Sequence, residues 1–132
     1  MDRETSEELE LDHHRLHIVE QINETYQVGD FKVKGFPLVH DSAGGTGYLL
    51  KGNGQKIAYI TDTRIVESSF RGLTNLMIEA NYSWQILKRK VEEGITSRAK
   101  KTRVIENHLS LEDVENFLRN IDRSKLREGR LL

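Results

Sequence analysis

Four polar segments of this sequence stand where side chains could converge on chemistry. His40 follows the run Phe36-Pro37-Leu38-Val39. Asp62 follows the apolar run Ile57-Ala58-Tyr59-Ile60, and Glu79 and Asn81 follow Leu76-Met77-Ile78. His108 stands just ahead of Ser110-Leu111-Glu112-Asp113, which has the form of a helix start. Imidazoles and carboxylates are the side chains that gather around one or two divalent ions. Such an ion lowers the pKa of bound water and so supplies hydroxide near neutral pH. A carboxylate such as Asp62 has two oxygens and can bridge two cations. Strand ends suit this work, because loops vary there while the sheet holds them rigid. Taken singly, a histidine or aspartate after a strand is more often a hydrogen-bonded turn residue. Asn81 has a second reading as a plain helix cap.

Two further clusters carry charge or ligands. The stretch 96–103 holds Arg98, Lys100, Lys101 and Arg103, with Lys90 just before it. It could contact phosphates, or it could be the solvated face of a helix or loop. His13, His14 and His17 could form a small metal-binding face if helical, since His13 and His17 are four apart; a solvated lead-in segment is the plainer reading.

The elements that must position these groups can be read from periodicity. Residues 1–12 are acidic with little apolar pattern and suggest a frayed entry. Residues 15–22 fit a strand or a short helix. Residues 24–38 predict a β-hairpin turning at Val28-Gly29-Asp30-Phe31, with Phe31, Val33 and Gly35 alternating against Lys32 and Lys34. A glycine-rich connection over 41–46 leads to a strand over 47–51. Gly52-Asn53-Gly54 predicts a turn, and 56–60 a central strand covered on both faces. Residues 76–78 form a shorter strand of the same kind. A helix capped by Asn81 or Ser83 should run to about Glu93, with Trp84, Leu87 and Val91 on one face and Gly94 as its stop. Another starts at Ser110, with Leu111, Val114, Phe117, Leu118 and Ile121 as its stripe. Strands followed by strands alternating with helices predict an α/β layered domain with a mixed sheet.

Composition sets outer bounds. A chain of 132 residues fits one domain with a modest core. The net charge of −1 argues against a globally basic nucleic-acid binder but leaves room for local patches. The chain has no cysteine, so disulfides and thiolate metal sites are excluded, and a metal would need His, Asp or Glu. That is compatible with the cytoplasm, which is the expected location. The acidic N-terminus has no apolar h-region, so a signal peptide is not expected. No apolar stretch is long enough for a membrane span.

Phe36-Pro37-Leu38-Val39-His40-Asp41, with Gly47-Tyr48 shortly after, resembles a metal-ligand motif of metallo-β-lactamase-fold nucleases and phosphodiesterases of the ribonuclease Z-like and bacterial exonuclease-like groups. Tyr59-Ile60-Thr61-Asp62-Thr63 is similar to the bridging-aspartate motif of that family. Ile78-Glu79-Ala80-Asn81-Tyr82 and Asn107-His108-Leu109-Ser110 look like the two later motifs, in matching order and spacing. The resemblance implies the C-terminal half of an αββα sandwich, as one partial domain over 1–132. It implies His40 as a metal ligand, Asp62 as a bridging ligand, and His108 as a catalytic residue for proton transfer or the leaving oxygen. Glu79 and Asn81 would line and support the site. The cofactor would be a divalent metal, zinc or manganese, and the chemistry a phosphodiester hydrolysis on nucleic acid.

The family's His-x-His-x-Asp-His motif is absent from the chain. Glu8-Leu9-Glu10-Leu11-Asp12-His13 has an Asp-His pair, but too close to His40 for the intervening strands and helices. Leu131-Leu132 looks like the start of the strand that precedes the family's last metal-binding histidine. The expectation is therefore an incomplete metal site that needs a complementary N-terminal chain or self-association. The alternative is a non-catalytic half-domain or interaction module.

Overall fold

The computed structural model describes residues 22–40 and 45–132. The expectations for 1–12, for 15–21, for His13, His14 and His17, and for 41–44 lie outside the described residues.

Among these residues one sheet of six strands runs in chain order: β1 (Thr25–Val28), β2 (Phe31–Pro37), β3 (Thr46–Gly52), β4 (Gln55–Ile60), β5 (Asn75–Ile78) and β6 (Glu128–Leu131). The first four form an antiparallel meander. β5 and β6 then add in parallel, giving the mixed sheet the sequence predicts. Three helices lie between β5 and β6: α1 (Trp84–Glu92), α2 (Arg98–Asn107) and α3 (Leu111–Asn120). None is long and apolar enough to cross a membrane.

Local chemistry accounts for the turns. Asn53 and Gly54 both have positive φ, 49° and 71°, as a two-residue type I′ hairpin requires. Gly47 lies opposite Phe36 across β2 and β3, and a Cβ there would overlap the Phe36 ring. The missing side chain lets Phe36 lie flat over β3 and meet Phe70 edge-on at 5.0 Å.

The core forms on the sheet face shared by Phe36, Ala58, Ile60, Leu76 and Ile78. Phe70 and Leu73 cover it from the β4–β5 connection, and Leu109 and Val114 from around α3. That 61–74 connection joins two parallel strands without a helix, which is the more usual bridge. Burying Phe70 and Leu73 gives it the packing a helix would otherwise supply.

The structure refines the expected elements after β5. From Arg98 the basic stretch 96–103 enters a helix, α2, that its sparse apolar pattern does not announce. Ser97 caps it, accepting from the Lys100 N–H. The N-cap of α1 is Ser83 and not Asn81, but the Ser83 side chain makes no cap bond. Instead Ser83 Oγ and the Trp84 N–H both donate to the Glu112 carboxylate from α3. The Ser110/Asp113 capping box on α3 is complete in both directions, as the sequence suggests. Finally, the terminal strand begins at Glu128, three residues before Leu131.

Glu112 therefore joins two helices through an anion at a helix N-terminus. Its own backbone N–H, together with Ser83, Trp84 and Ser110, holds its carboxyl below the usual glutamate value of 4.5. A carboxyl lowered in the folded state stabilises the fold above its unfolded pKa, and that contribution fades as pH falls through the folded value. Glu112→Gln should lower Tm at neutral pH, and the gap to wild type should narrow as pH falls below the ordinary glutamate value of 4.5. Parallel thermal melts from pH 7 to 3 check this; a gap that persists at pH 3 would count against the charge.

Candidate metal centre

The parallel pairing of β4 with β5 sets two strand ends side by side. Glu79 N–H donates to the Ile60 carbonyl at 3.0 Å, so the chain carrying Glu79 lies against the chain entering Asp62. Asp62 turns out of β4 with φ of 52°, the left-handed region that Asp tolerates better than most residues. A third segment is stitched to the second. Asn81 N–H donates to the Leu109 carbonyl at 3.0 Å, and Leu111 N–H to the Tyr82 carbonyl at 2.7 Å. That places His108, the C-cap of α2, over Glu79.

The fourth segment is held by Thr63, which is fully buried. Val39 N–H donates to Thr63 Oγ1 at 3.1 Å, and Arg64 N–H donates to the Val39 carbonyl at 3.0 Å. Thr63 Oγ1 in turn donates to the Ile65 carbonyl at 2.7 Å. His40, next to Val39, is thereby fixed beside the Asp62 turn. Its ring lies 6.1 Å from that of His108, edge to face.

At the centre is the Glu79 carboxylate, 5% exposed. It accepts from Thr63 N–H at 3.0 Å and from Asn81 Nδ2 at 3.4 Å. His108 Nδ1 lies 3.3 Å from Glu79 Oε2 and 3.7 Å from Asp62 Oδ1. The structure thus brings Asp62, Glu79 and His108 together, with one donor atom from each within 4.8 Å of the others. Two carboxylates and an imidazole suit zinc or manganese, and the close spacing of their donor atoms fits one divalent ion. Glu79 is the most committed of the three, since Thr63 and Asn81 already occupy its oxygens. Asp62, with 65% of its side chain exposed, is the most available.

A cleft of about 610 Å³ opens beside the two histidines. His40 and His108 line it together with Ala99, Lys100, Arg103, Val104 and Asn107. Of the four basic residues singled out in the sequence, Lys100 and Arg103 border this cleft, while Arg98 and Lys101 do not. The i, i+3, i+4 spacing of α2 explains the division. Tyr82 is nearby, but burial, followed by the Asp113 and Glu112 carboxylates, pushes its hydroxyl up to about 12. It is therefore a neutral phenol at physiological pH.

Sequence reasoning gave Thr63 no role, although its neighbour Asp62 was marked. Only its position beside a chosen strand end hinted at one.

The sequence matches no protein-family model and no curated protein. In three dimensions it is similar to PqqB from Methylobacterium extorquens, whose crystal structure is Zn²⁺-bound. The two share 16% identity at a TM-score of 0.58, over 83% of this chain and 39% of PqqB. The fold is half of a metallo-β-lactamase sandwich. The chain accordingly spans well under two thirds of the length of this relative.

Removing the central carboxylate tests the arrangement. Glu79→Ala strands the Thr63 N–H in the interior and should cost about 1–3 kcal/mol. Glu79→Gln keeps an acceptor for Thr63 and should recover most of that loss. Chemical denaturation of both variants measures it; equal stability of alanine and wild type would remove Glu79 from its supporting place.

Proposed function

We propose that this chain forms part of a metal-dependent phosphodiester hydrolase acting on nucleic acid, in the manner of the nuclease-like metallo-β-lactamase-fold proteins its motifs resemble, and that it supplies the C-terminal half of that fold. The observation that carries the reading is a single cleft bordered by His40 and His108 and by the cations Lys100 and Arg103, with Asp62 and Glu79 at the foot of His108. The two histidines and two phosphate-seeking cations share one opening, and the Asp62 and Glu79 carboxylates lie behind His108.

In this reading His40 and Asp62 hold a divalent metal, zinc or manganese, which when bound supplies hydroxide and polarises the phosphoryl oxygen. The remaining ligands come from the other half of the sandwich, on the same polypeptide or on a partner chain. The protein's own side chains do the rest. Glu79 lies against Nδ1 of His108 and keeps that nitrogen a donor, as carboxylates commonly do behind functional histidines. Nε2 of His108 would then take the proton given up as water becomes hydroxide and return it to the leaving oxygen. Lys100 and Arg103 bind the flanking phosphates and orient the scissile bond.

One observation favours a non-catalytic interaction module instead. His40 falls outside the group of three whose donor atoms lie within 4.8 Å of one another, and Glu79 within that group is already bonded. The chain by itself then offers few open ligand positions.

Metal binding and turnover separate the roles. His40→Ala and Asp62→Ala should each weaken Zn²⁺ or Mn²⁺ binding by at least about ten-fold. His108→Gln should retain the metal and lose about 10²–10⁴-fold in hydrolysis of a bis-aryl phosphodiester or RNA, with the other half of the fold supplied. Release of the metal by His108→Gln would place His108 among the ligands. Metal binding without hydrolysis in the wild type would favour the interaction module.

A further inference from the structure

We propose that a second cleft, at the pole of the sheet opposite the candidate metal centre, binds a phosphate-bearing polyanion. Asp62 and Glu79 follow the C-terminal ends of β4 and β5. The second cleft is bordered by Gln55, Lys56 and Thr74, at the N-terminal ends of those strands. Six residues of β4 put the two poles roughly 20 Å apart.

The cleft, about 560 Å³, is lined by five cations: Lys32, Lys51, Lys56, Arg71 and Lys125. Asp30 is the one carboxylate among its lining residues. Three of the lysines stand in strict cross-strand register. Lys32 pairs with Lys51, and Lys51 pairs with Lys56. Directly opposed residues point to the same face with Cβ atoms about 5 Å apart, and like charges so placed destabilise a sheet. The ion pairs among the described residues lie elsewhere: on α1, on α3 and at His108. Lys56 Nζ donates to the Arg71 carbonyl at 2.7 Å, which spends one of its three donors and leaves its charge unneutralised. Lys125 feels Asp122, whose own carboxyl is held low chiefly by Ser124.

A fold gains no stability from three adjacent ammonium groups, and solubility needs only scattered charge. A multiply charged anion laid across the row would neutralise it in one step. Phosphate groups concentrate charge over a short span, and ammonium groups bind them as point charges. The glycines and Asn53 of the β3–β4 turn leave this approach open.

The full chain is tested in metal-free buffer at low salt. Tripolyphosphate is titrated by calorimetry, and a labelled single-stranded oligoribonucleotide by anisotropy. Tripolyphosphate should bind saturably and raise the wild-type Tm. Lys51→Gln and Lys125→Gln should each weaken binding about ten-fold, while Lys88→Gln, on α1, should not. Without anion, Lys51→Gln should melt about 1–5 °C above wild type, because it relieves repulsion on both sides. The opposite signs of the two effects are something a merely solubilising lysine would not produce. A parallel loss of oligoribonucleotide affinity would assign the anion to a nucleic-acid backbone. A loss confined to tripolyphosphate would assign it to a small polyphosphate. No saturable binding, or equal binding by Lys51→Gln, Lys125→Gln and wild type, would overturn the proposal.

Discussion

A carboxylate taken out of water must find donors or lose its charge, and Glu79 finds them in three separate stretches of chain. Thr63 gives its backbone N–H and Asn81 its amide, and Nδ1 of His108 stands 3.3 Å away. The full set cannot be made until β4, β5 and the α2–α3 junction are all in place. Thr63 then extends the dependence to a fourth stretch by holding Val39 beside it. The grouping of His40, Asp62 and His108 is thus a by-product of satisfying one buried anion and one buried hydroxyl. Disturbance of either would be felt across all four segments.

Charge is distributed with similar economy. A net charge of −1 conceals two clusters of basic side chains at opposite ends of the sheet. One is presented by a helix, where Lys100 and Arg103 share a face because they are three apart. The other is presented by strands, where Lys32, Lys51 and Lys56 share a face because the hairpin turns fix their register. Helical spacing spreads charge along a groove, whereas cross-strand register compresses it into a row.

Much of this was legible in the sequence. Strands β1 to β5, both hairpin turns and the Ser110 capping box follow from local rules that act within a few residues. The strand-end positions of Asp62 and Glu79 follow from apolar runs that stop where a polar group begins. Helix α2 was hidden because Arg98–Asn107 is nearly all polar, with Val104 and Ile105 adjacent and so no stripe to read. The bond from Glu112 to the start of α1 was hidden for another reason: its partners are 28 and 29 residues away, and no local pattern marks such a pair. The lysine row was visible only as an alternation within β2. Its meaning depended on pairing that sequence periodicity does not specify.

The order of strands in the sheet equals their order in the chain, so each new strand joins an existing edge and none must be inserted between paired neighbours. During synthesis the described part of the sheet can grow as the polypeptide emerges, with the meander ahead of β5 and β6. The lysine row sits within that first part, but the candidate metal centre does not. A nascent chain that has not yet released residue 108 can hold most of the sheet while lacking the histidine that Glu79 is built to receive. Shape and chemistry would therefore be acquired at different moments of the molecule's life.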